Sequence, residues 1–305
     1  MPAQAFEARV LETALAATVS VLPVMPPGAA RTEEPEASGV AYGAGGHVVT
    51  ALHVVKGAAA ILVRNADAEI VEAELVGADP LTDIAVLEVA GPLPVLPLPV
   101  LPLAGDASLG EPVCAIGNAF GLGLTASCGV VSGVHMAGIG FNPVEDFVQT
   151  DAAINPGVSG GALVDREGRL VGLVSAIFTK TSDANIGVNF AVAAPLMKRV
   201  ADAIIETGGF RPPRTGVRLG PWPPRGETGR MAAKVLAVEP GSPAAAAGLQ
   251  SDDRILSAAG RRIRSPKDYI SAVARLTPGD TIDLEAVRGG ETVTTTLRLP
   301  DASAR

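Results

Sequence analysis

Short apolar runs, each broken by turn residues, recur along the first two thirds of the chain, and this rhythm constrains the fold more than any other feature. The runs lie at 18–24, 39–42, 47–52, 60–64, 69–77, 84–89, 112–116, 125–134, 146–150, 162–165, 170–178 and 187–192. Glycine (35) and proline (25) supply the turns between them. Runs of this length at this spacing predict an all-β barrel or sandwich rather than a helical protein. Helical spacing is confined to a few places. Phe6, Val10, Leu11, Ala14 and Leu15 share one face of a short helix over 5–17, and 195–207 reads as a helix closed by Gly208 and Gly209. The segment 210–215 (FRPPRT) is a linker candidate. Beyond it, strands at 216–220, 232–238, 254–258, 281–288 and 291–299 with a helix from about 266 to 276 predict a small α+β module. The domains expected are therefore 1–209, a linker at 210–215, 216–300, and a tail at 301–305.

The 24 basic and 32 acidic residues give a net charge of −8, which argues against nucleic acid or an anionic membrane as the main partner. No run of apolar residues is long enough to cross a bilayer, so no integral membrane segment is expected. Glu7, Arg9 and Glu12 interrupt the N-terminal apolar patches, unlike a signal peptide with a basic start and an unbroken apolar core. That points to the cytoplasm if the start is genuine. Two cysteines and three histidines form no ligand cluster, so neither a metal nor a cofactor is expected. GNAFGLG at 117–123 superficially resembles a phosphate-cradling loop, but the strand-like TASCGVVSG follows it where a nucleotide site needs a helix. Cys114 and Cys128 flank this loop and would face each other in a regular hairpin. Two buried free thiols are the favoured reading, because a direct bond across a regular ladder is awkward; a cross-strand disulfide in an oxidising compartment is the other.

Chemistry concentrates in QTDAAINPGVSGGAL at 149–163. Glycines on both sides of Ser159 let backbone N–H groups approach a bound atom, as an acyl-transfer nucleophile requires, although Gly-Ser-Gly is also an ordinary turn. His53, at the end of the apolar strand in VVTALHVV, is the best placed of the three histidines to act as a base. Asp83 precedes the strand 84–87 and is the candidate orienting carboxylate, while Asp79, before Pro80, fits a turn cap better. The order His53, Asp83, Ser159 is that of a hydrolase in which the imidazole relays the serine proton and the carboxylate fixes the ring. The connector PLPVLPLPVLP at 92–102 falls where a link between two barrels belongs.

With VVTALHVV, DPLTDIAVLEV, GDASLGEPVCAIGNAFGLGLTASCGVVSG, FVQTDAAINPGVSGGALVDREGRLVGLVSAI, NIGVNFAV and VEPGSPAAAAGLQSDDRIL together, the chain resembles the HtrA/Deg family of serine proteases over about residues 8 to 299. The resemblance implies a mostly β fold, a chymotrypsin-like double β-barrel followed by a PDZ domain. It implies His53 as general base, Asp83 as its partner, Ser159 as nucleophile, and the N–H groups of Gly157 and Ser159 as the oxyanion hole. It places Ile154 and Ile177 at the S1 pocket, with no acidic residue there, which implies cleavage after small or medium aliphatic residues. Gly216, Val217, Arg218, Leu219 and Gly220 resemble the carboxylate-binding loop and strand that take C-terminal peptides, with Trp222 and its neighbouring prolines as a possible cover. The family further implies unfolded polypeptides as substrates, a role in protein quality control, a homotrimer built through the N-terminal segment around Phe6, and export from the cytoplasm. Three departures stand out. Val158 replaces the usual Asn before the serine, Ala51 replaces a polar residue of the histidine motif, and Asp252 takes the usual glycine position in the turn before Asp253. Val158 keeps open an alternative, a catalytically weak relative that binds peptides as a chaperone or adaptor.

Overall fold

Alternating and fully apolar runs must bury their faces, and here they do so by closing sheets on themselves. The computed structural model describes residues 6–28, 36–43, 46–89, 100–177, 186–224 and 226–301. The chain divides into two compact units. One comprises Met1–Met136, Phe141–Pro143 and Phe147–Phe210; the other comprises Ala137–Gly140, Val144–Asp146 and Arg211–Arg305.

In the first unit a short helix, α1 (Ala8–Ala16), leads into β1 (Thr18–Val24), β2 (Ala37–Tyr42), β3 (His47–Ala51), β4 (Ala60–Arg64), β5 (Ile70–Asp79) and β6 (Ile84–Val89). These close an antiparallel barrel in the order β1-β2-β3-β6-β5-β4. Val19, Val21, Val48, Val63, Ala85 and Leu87 fill its interior with no exposed surface. A second barrel follows from β7 (Pro112–Gly117), β8 (Thr125–Met136), β9 (Phe147–Thr150), β10 (Ala162–Val164), β11 (Leu170–Ile177) and β12 (Asn189–Ala193), in the order β10-β11-β12-β9-β8-β7. Its core includes Val113, Ala152, Leu163, Val174 and Ala191. A full interior of β-branched and aliphatic side chains contributes about 1.5–3 kcal/mol for each large one buried.

One helical turn, α2 (Leu52–Val55), interrupts the first barrel between β3 and β4. His53 therefore sits on that turn and not on a strand end, as the apolar run had suggested. The long helix, here α3 (Ala194–Thr207), leaves the second barrel and packs back on the first. Gly77 in β5 permits this approach, since a Cβ there would lie 2.9 Å from an Ile204 methyl. Tyr42 donates to Asp202 at 2.6 Å across the same contact.

The second unit carries β13 (Val217–Trp222), β14 (Ala232–Val238), α4 (Pro243–Ala246), β15 (Arg254–Ala258), β16 (Arg261–Arg262), α5 (Pro266–Ala274), β17 (Thr281–Arg288) and β18 (Glu291–Arg298). The sheet order is β13-β14-β15-β17-β18, with β16 on β15. Both helices begin at a serine cap followed by proline. Ser242 accepts from the Ala245 N–H and Ser265 from the Asp268 N–H, each at 3.2 Å. Asp252 adopts φ 71°, a conformation aspartate tolerates better than most residues, which is how the turn forms without its glycine.

Two expectations need correction. Cys114 and Cys128 are bonded to each other: they are direct partners in the β7–β8 ladder, and Cys128 is exposed rather than buried. Trp222 does not cover the groove of the second unit; it lies at the far end of β13 with Lys234 and Arg254 over its ring at 5.4 and 5.1 Å. Residues 92–99 of the proline-rich connector lie outside the described residues, as do residues 29–35 between β1 and β2 and the Ile177 side chain.

Candidate active site

Helix α2 is only one turn long and has no side-chain cap of its own. Its first N–H groups need acceptors, and Asp83 provides them from the β5–β6 turn. The Leu52 N–H donates to the Asp83 carbonyl at 2.9 Å, and the His53 N–H donates to Asp83 Oδ1 at 2.9 Å. Asp83 Oδ2 then lies 2.6 Å from His53 Nδ1. One aspartate thus anchors the turn and holds the ring. It does so at φ 62°, a left-handed conformation uncommon for a non-glycine residue and one that Asp adopts more readily than most. Asp79 is the capping residue of the same turn: its Oδ2 accepts from the Thr82 N–H at 3.0 Å and the Thr82 hydroxyl at 2.6 Å. Burial raises the Asp79 carboxyl above its ordinary pKa, against the lowering effect of these bonds.

Ser159 lies on the loop between β9 and β10 and is largely buried. The glycines around it answer to close contacts. Gly157 has φ 97°, and a Cβ there would lie 2.3 Å from the Asn118 carbonyl oxygen; Gly160 has φ 82°, and a Cβ there would lie 2.1 Å from the Ser38 carbonyl oxygen. Successive peptide planes of the loop are each pinned. The Pro156 carbonyl accepts from the Phe120 N–H at 2.7 Å, the Gly157 carbonyl from the Ser38 hydroxyl at 2.7 Å, and the Val158 carbonyl from the Gly161 N–H at 2.8 Å. The Ser159 carbonyl accepts from the Ser38 N–H at 2.9 Å. In a trans peptide the N–H points opposite to the preceding carbonyl, so these bonds fix the directions of the Gly157 and Ser159 N–H groups. Val158 is 5 % exposed and belongs to the second barrel's core.

Ile154 is 1 % exposed and part of the same core. Asp151 is turned to structural use, its Oδ1 accepting from the Val130 N–H at 2.7 Å. Ser38, Asn118 and Phe120 escaped sequence reasoning. The only signal was a serine inside the otherwise small and apolar run ASGVAY of β2, a strand buried at every position.

In the second unit, among the described residues, β13 is an edge strand paired with β14, and a groove of about 320 Å³ runs between it and α5. Val217, Leu219, Tyr269, Ile270 and Val273 give it an apolar wall, and Arg214 and Glu239 add charge. Gly216 has φ 78° and packs against Ser242, where a Cβ would lie 2.1 Å from the serine Cβ. Gly216, Val217 and Leu219 line the groove, whereas Arg218 and Gly220 are not among its lining residues.

Two closed six-stranded barrels, the first carrying the paired His53 and Asp83 and the second the Ser159 loop, define a trypsin-like serine peptidase fold. Residues 37–173 match a trypsin-like peptidase domain and 185–299 a PDZ domain. The chain is 35 % identical over 284 residues to Protease Do-like 1, chloroplastic, of Arabidopsis thaliana, covering 87 % of this chain and 64 % of that one. It is also 35 % identical over 286 residues to a probable periplasmic serine endoprotease, DegP-like, of Halomonas elongata, covering 91 % and 59 %. The chain therefore spans roughly three fifths of these relatives' lengths. A solved structure of the HtrA-type protease AlgW with a tripeptide matches with a TM-score of 0.71 and 35 % identity over 96 % of both chains. The chain belongs to the HtrA/Deg family of serine proteases. Among the described residues no helix is long and apolar enough to cross a membrane.

Proposed function

We propose that the protein is a serine endopeptidase acting on unfolded polypeptides, with Ser159 as nucleophile, His53 as general base and acid, and Asp83 as the group that fixes the imidazole. The observation that carries this reading is the paired contact of Asp83 with both the backbone N–H and Nδ1 of His53. A ring bonded through Nδ1 presents Nε2 as the basic nitrogen. Ser159 Oγ attacks the scissile carbonyl carbon as its proton passes to His53 Nε2. The resulting oxyanion is held by the N–H groups of Gly157 and Ser159, and collapse expels the amine, which takes the proton from His53. Water then repeats the sequence on the acyl-enzyme and frees Ser159. Pinned peptide planes at Pro156 and Val158 support this role, since oxyanion donors work by being fixed before charge develops. Preference for small or medium aliphatic residues at the cleavage site, through Ile154 and Ile177, stands as part of the proposal.

The second domain, with boundaries near 216–300, is proposed to bind C-terminal peptide segments. The unpaired edge of β13 would add the peptide as a strand and the apolar wall would take alternate side chains. A homotrimer assembled around Phe6 and an exported location complete the proposal. The disulfide favours an oxidising compartment, in keeping with relatives named as periplasmic and chloroplastic.

Casein cleavage by the wild type and by Ser159→Ala tests the reading. Cleavage by the wild type alone supports it. If both leave casein intact while a peptide with a free C-terminus still binds, the protein is the peptide-binding relative and the enzyme assignment fails.

A further inference from the structure

Ser38 occupies a position in which one buried side chain meets both loops that shape the proposed oxyanion hole. It is fully buried in β2 of the first barrel. Its hydroxyl donates to the Gly157 carbonyl at 2.7 Å and accepts from the Asn118 N–H at 2.8 Å. Its own N–H donates to the Ser159 carbonyl at 2.9 Å, and its carbonyl accepts from the Thr50 hydroxyl at 2.7 Å. Asn118 begins the short 3₁₀ turn that carries Phe120, whose N–H holds the Pro156 carbonyl. A further chain of bonds steadies Asn118 from its other side: its Nδ2 donates to Glu36 at 2.7 Å, and Arg64 donates to the same Glu36 oxygen at 2.6 Å.

Gly157 is where restraint is needed. Glycine crosses between left- and right-handed backbone conformations at little cost, so the peptide groups beside it turn more easily than they would beside a residue with a side chain. The residue that follows is Val158, whose side chain has no hydrogen-bonding group. Both the Gly157 carbonyl and the Asn118 N–H belong to buried residues, so losing the Ser38 hydroxyl would leave both short of a partner. The Gly157 carbonyl lies between the two planes that carry the Gly157 and Ser159 N–H groups, and its rotation would swing at least one of them.

We propose that Ser38 is a positioning residue for peptide hydrolysis: its hydroxyl locks the Gly157 peptide and thereby aims the oxyanion donors. This rests on the reading of Ser159 as nucleophile. It touches neither substrate nor reacting atoms, and its effect belongs to the tetrahedral state and not to ground-state binding.

The test compares wild type, Ser38→Ala and Ser38→Cys on a small peptide ester, with two ligands. One is a peptide boronate ending in a small aliphatic residue, which becomes tetrahedral on Ser159; the other is the amide-terminated peptide of the same sequence. Ser38→Ala should lose about 10- to 100-fold in kcat, somewhat less than removal of an oxyanion donor itself. KM and the affinity for the amide peptide should stay within about twofold, and boronate affinity should fall in step with kcat. Ser38→Cys, which keeps a weak donor of similar size, should recover part of both losses. If Ser38→Ala does not fold, Ser38→Cys against wild type carries the same comparison. Unchanged boronate affinity and kcat in a folded variant overturns the proposal alone. So does a loss shared equally by the boronate and the amide peptide, which marks general loosening. A wild type that neither hydrolyses the ester nor reacts with a fluorophosphonate overturns the underlying reading of Ser159, and the proposal with it.

Discussion

Asp83 serves the backbone of α2 with one oxygen and the imidazole of His53 with the other, and the two roles separate on mutation. Asp83→Asn keeps an acceptor for the His53 N–H but can offer an amide donor to Nδ1, which favours the wrong tautomer. Its kcat should fall by about 10⁴-fold with only a small change in thermal stability. Asp83→Ala should lose comparable activity and also destabilise the turn; equal melting temperatures for the two variants would contradict the anchoring role. Asp79, four residues earlier, responds differently to the same Asp→Asn substitution. Its folded-state pKa is raised by burial, so its contribution favours the folded state below the ordinary carboxylate range and is lost as pH rises through the raised value. Asp79→Asn, which keeps the acceptor for Thr82 without the buried charge, should therefore gain stability relative to wild type between about pH 3 and pH 7. Urea unfolding at both pH values measures the difference, and a gap that shrinks towards neutrality would show the sign to be wrong.

Among the elements, the β7–β8 hairpin does the most to connect remote parts of the site. Its loop bonds Ser38 through the Asn118 N–H and the serine loop through the Phe120 N–H, and its two strands are stapled by the Cys114–Cys128 disulfide. The bond closes a separation of 14 residues, for which the chain-entropy model gives about 3 kcal/mol of stabilisation. Replacing both cysteines by alanine should lower unfolding stability by up to that amount in the absence of reductant, and dithiothreitol should then have no further effect on the variant. An unchanged urea midpoint would mean that the hairpin gains nothing from its staple. Helix α3 contributes differently: by packing Ile204 against Gly77 and Asp202 against Tyr42 it ties the end of the second barrel to the first.

At the scale of the whole molecule, two compact units with separate apolar cores imply two unfolding events. Calorimetry of the full chain should resolve two transitions. A C-terminal peptide should raise only one and the boronate only the other; a single transition shifted equally by both ligands would show that the units unfold together. Much of this organisation is legible in the sequence. Strand rhythm marks the barrels, and helix 195–207 is off by one residue at its start. The histidine's setting was less legible, because VVTALHVV is as apolar as a strand. It turns helical after Ala51 only because Asp83, remote in sequence, supplies the acceptors for the first N–H groups.

The sequence by itself determined the strand periodicity, the order His53, Asp83, Ser159 and the glycines of the serine loop, because these follow from local residue type and spacing. Tertiary structure alone decided that the cysteines bond, that Trp222 stands away from the groove beside β13, that Val158 is buried in the second barrel's core, and that Ser38 reaches Gly157. The physical reason is common to all four. A hydrogen bond or a packing contact depends on which distant backbone arrives within a few ångströms, and barrel closure sets that distance. The sequence displays Ser38 and Gly157 as 119 positions apart; the fold makes them partners at 2.7 Å.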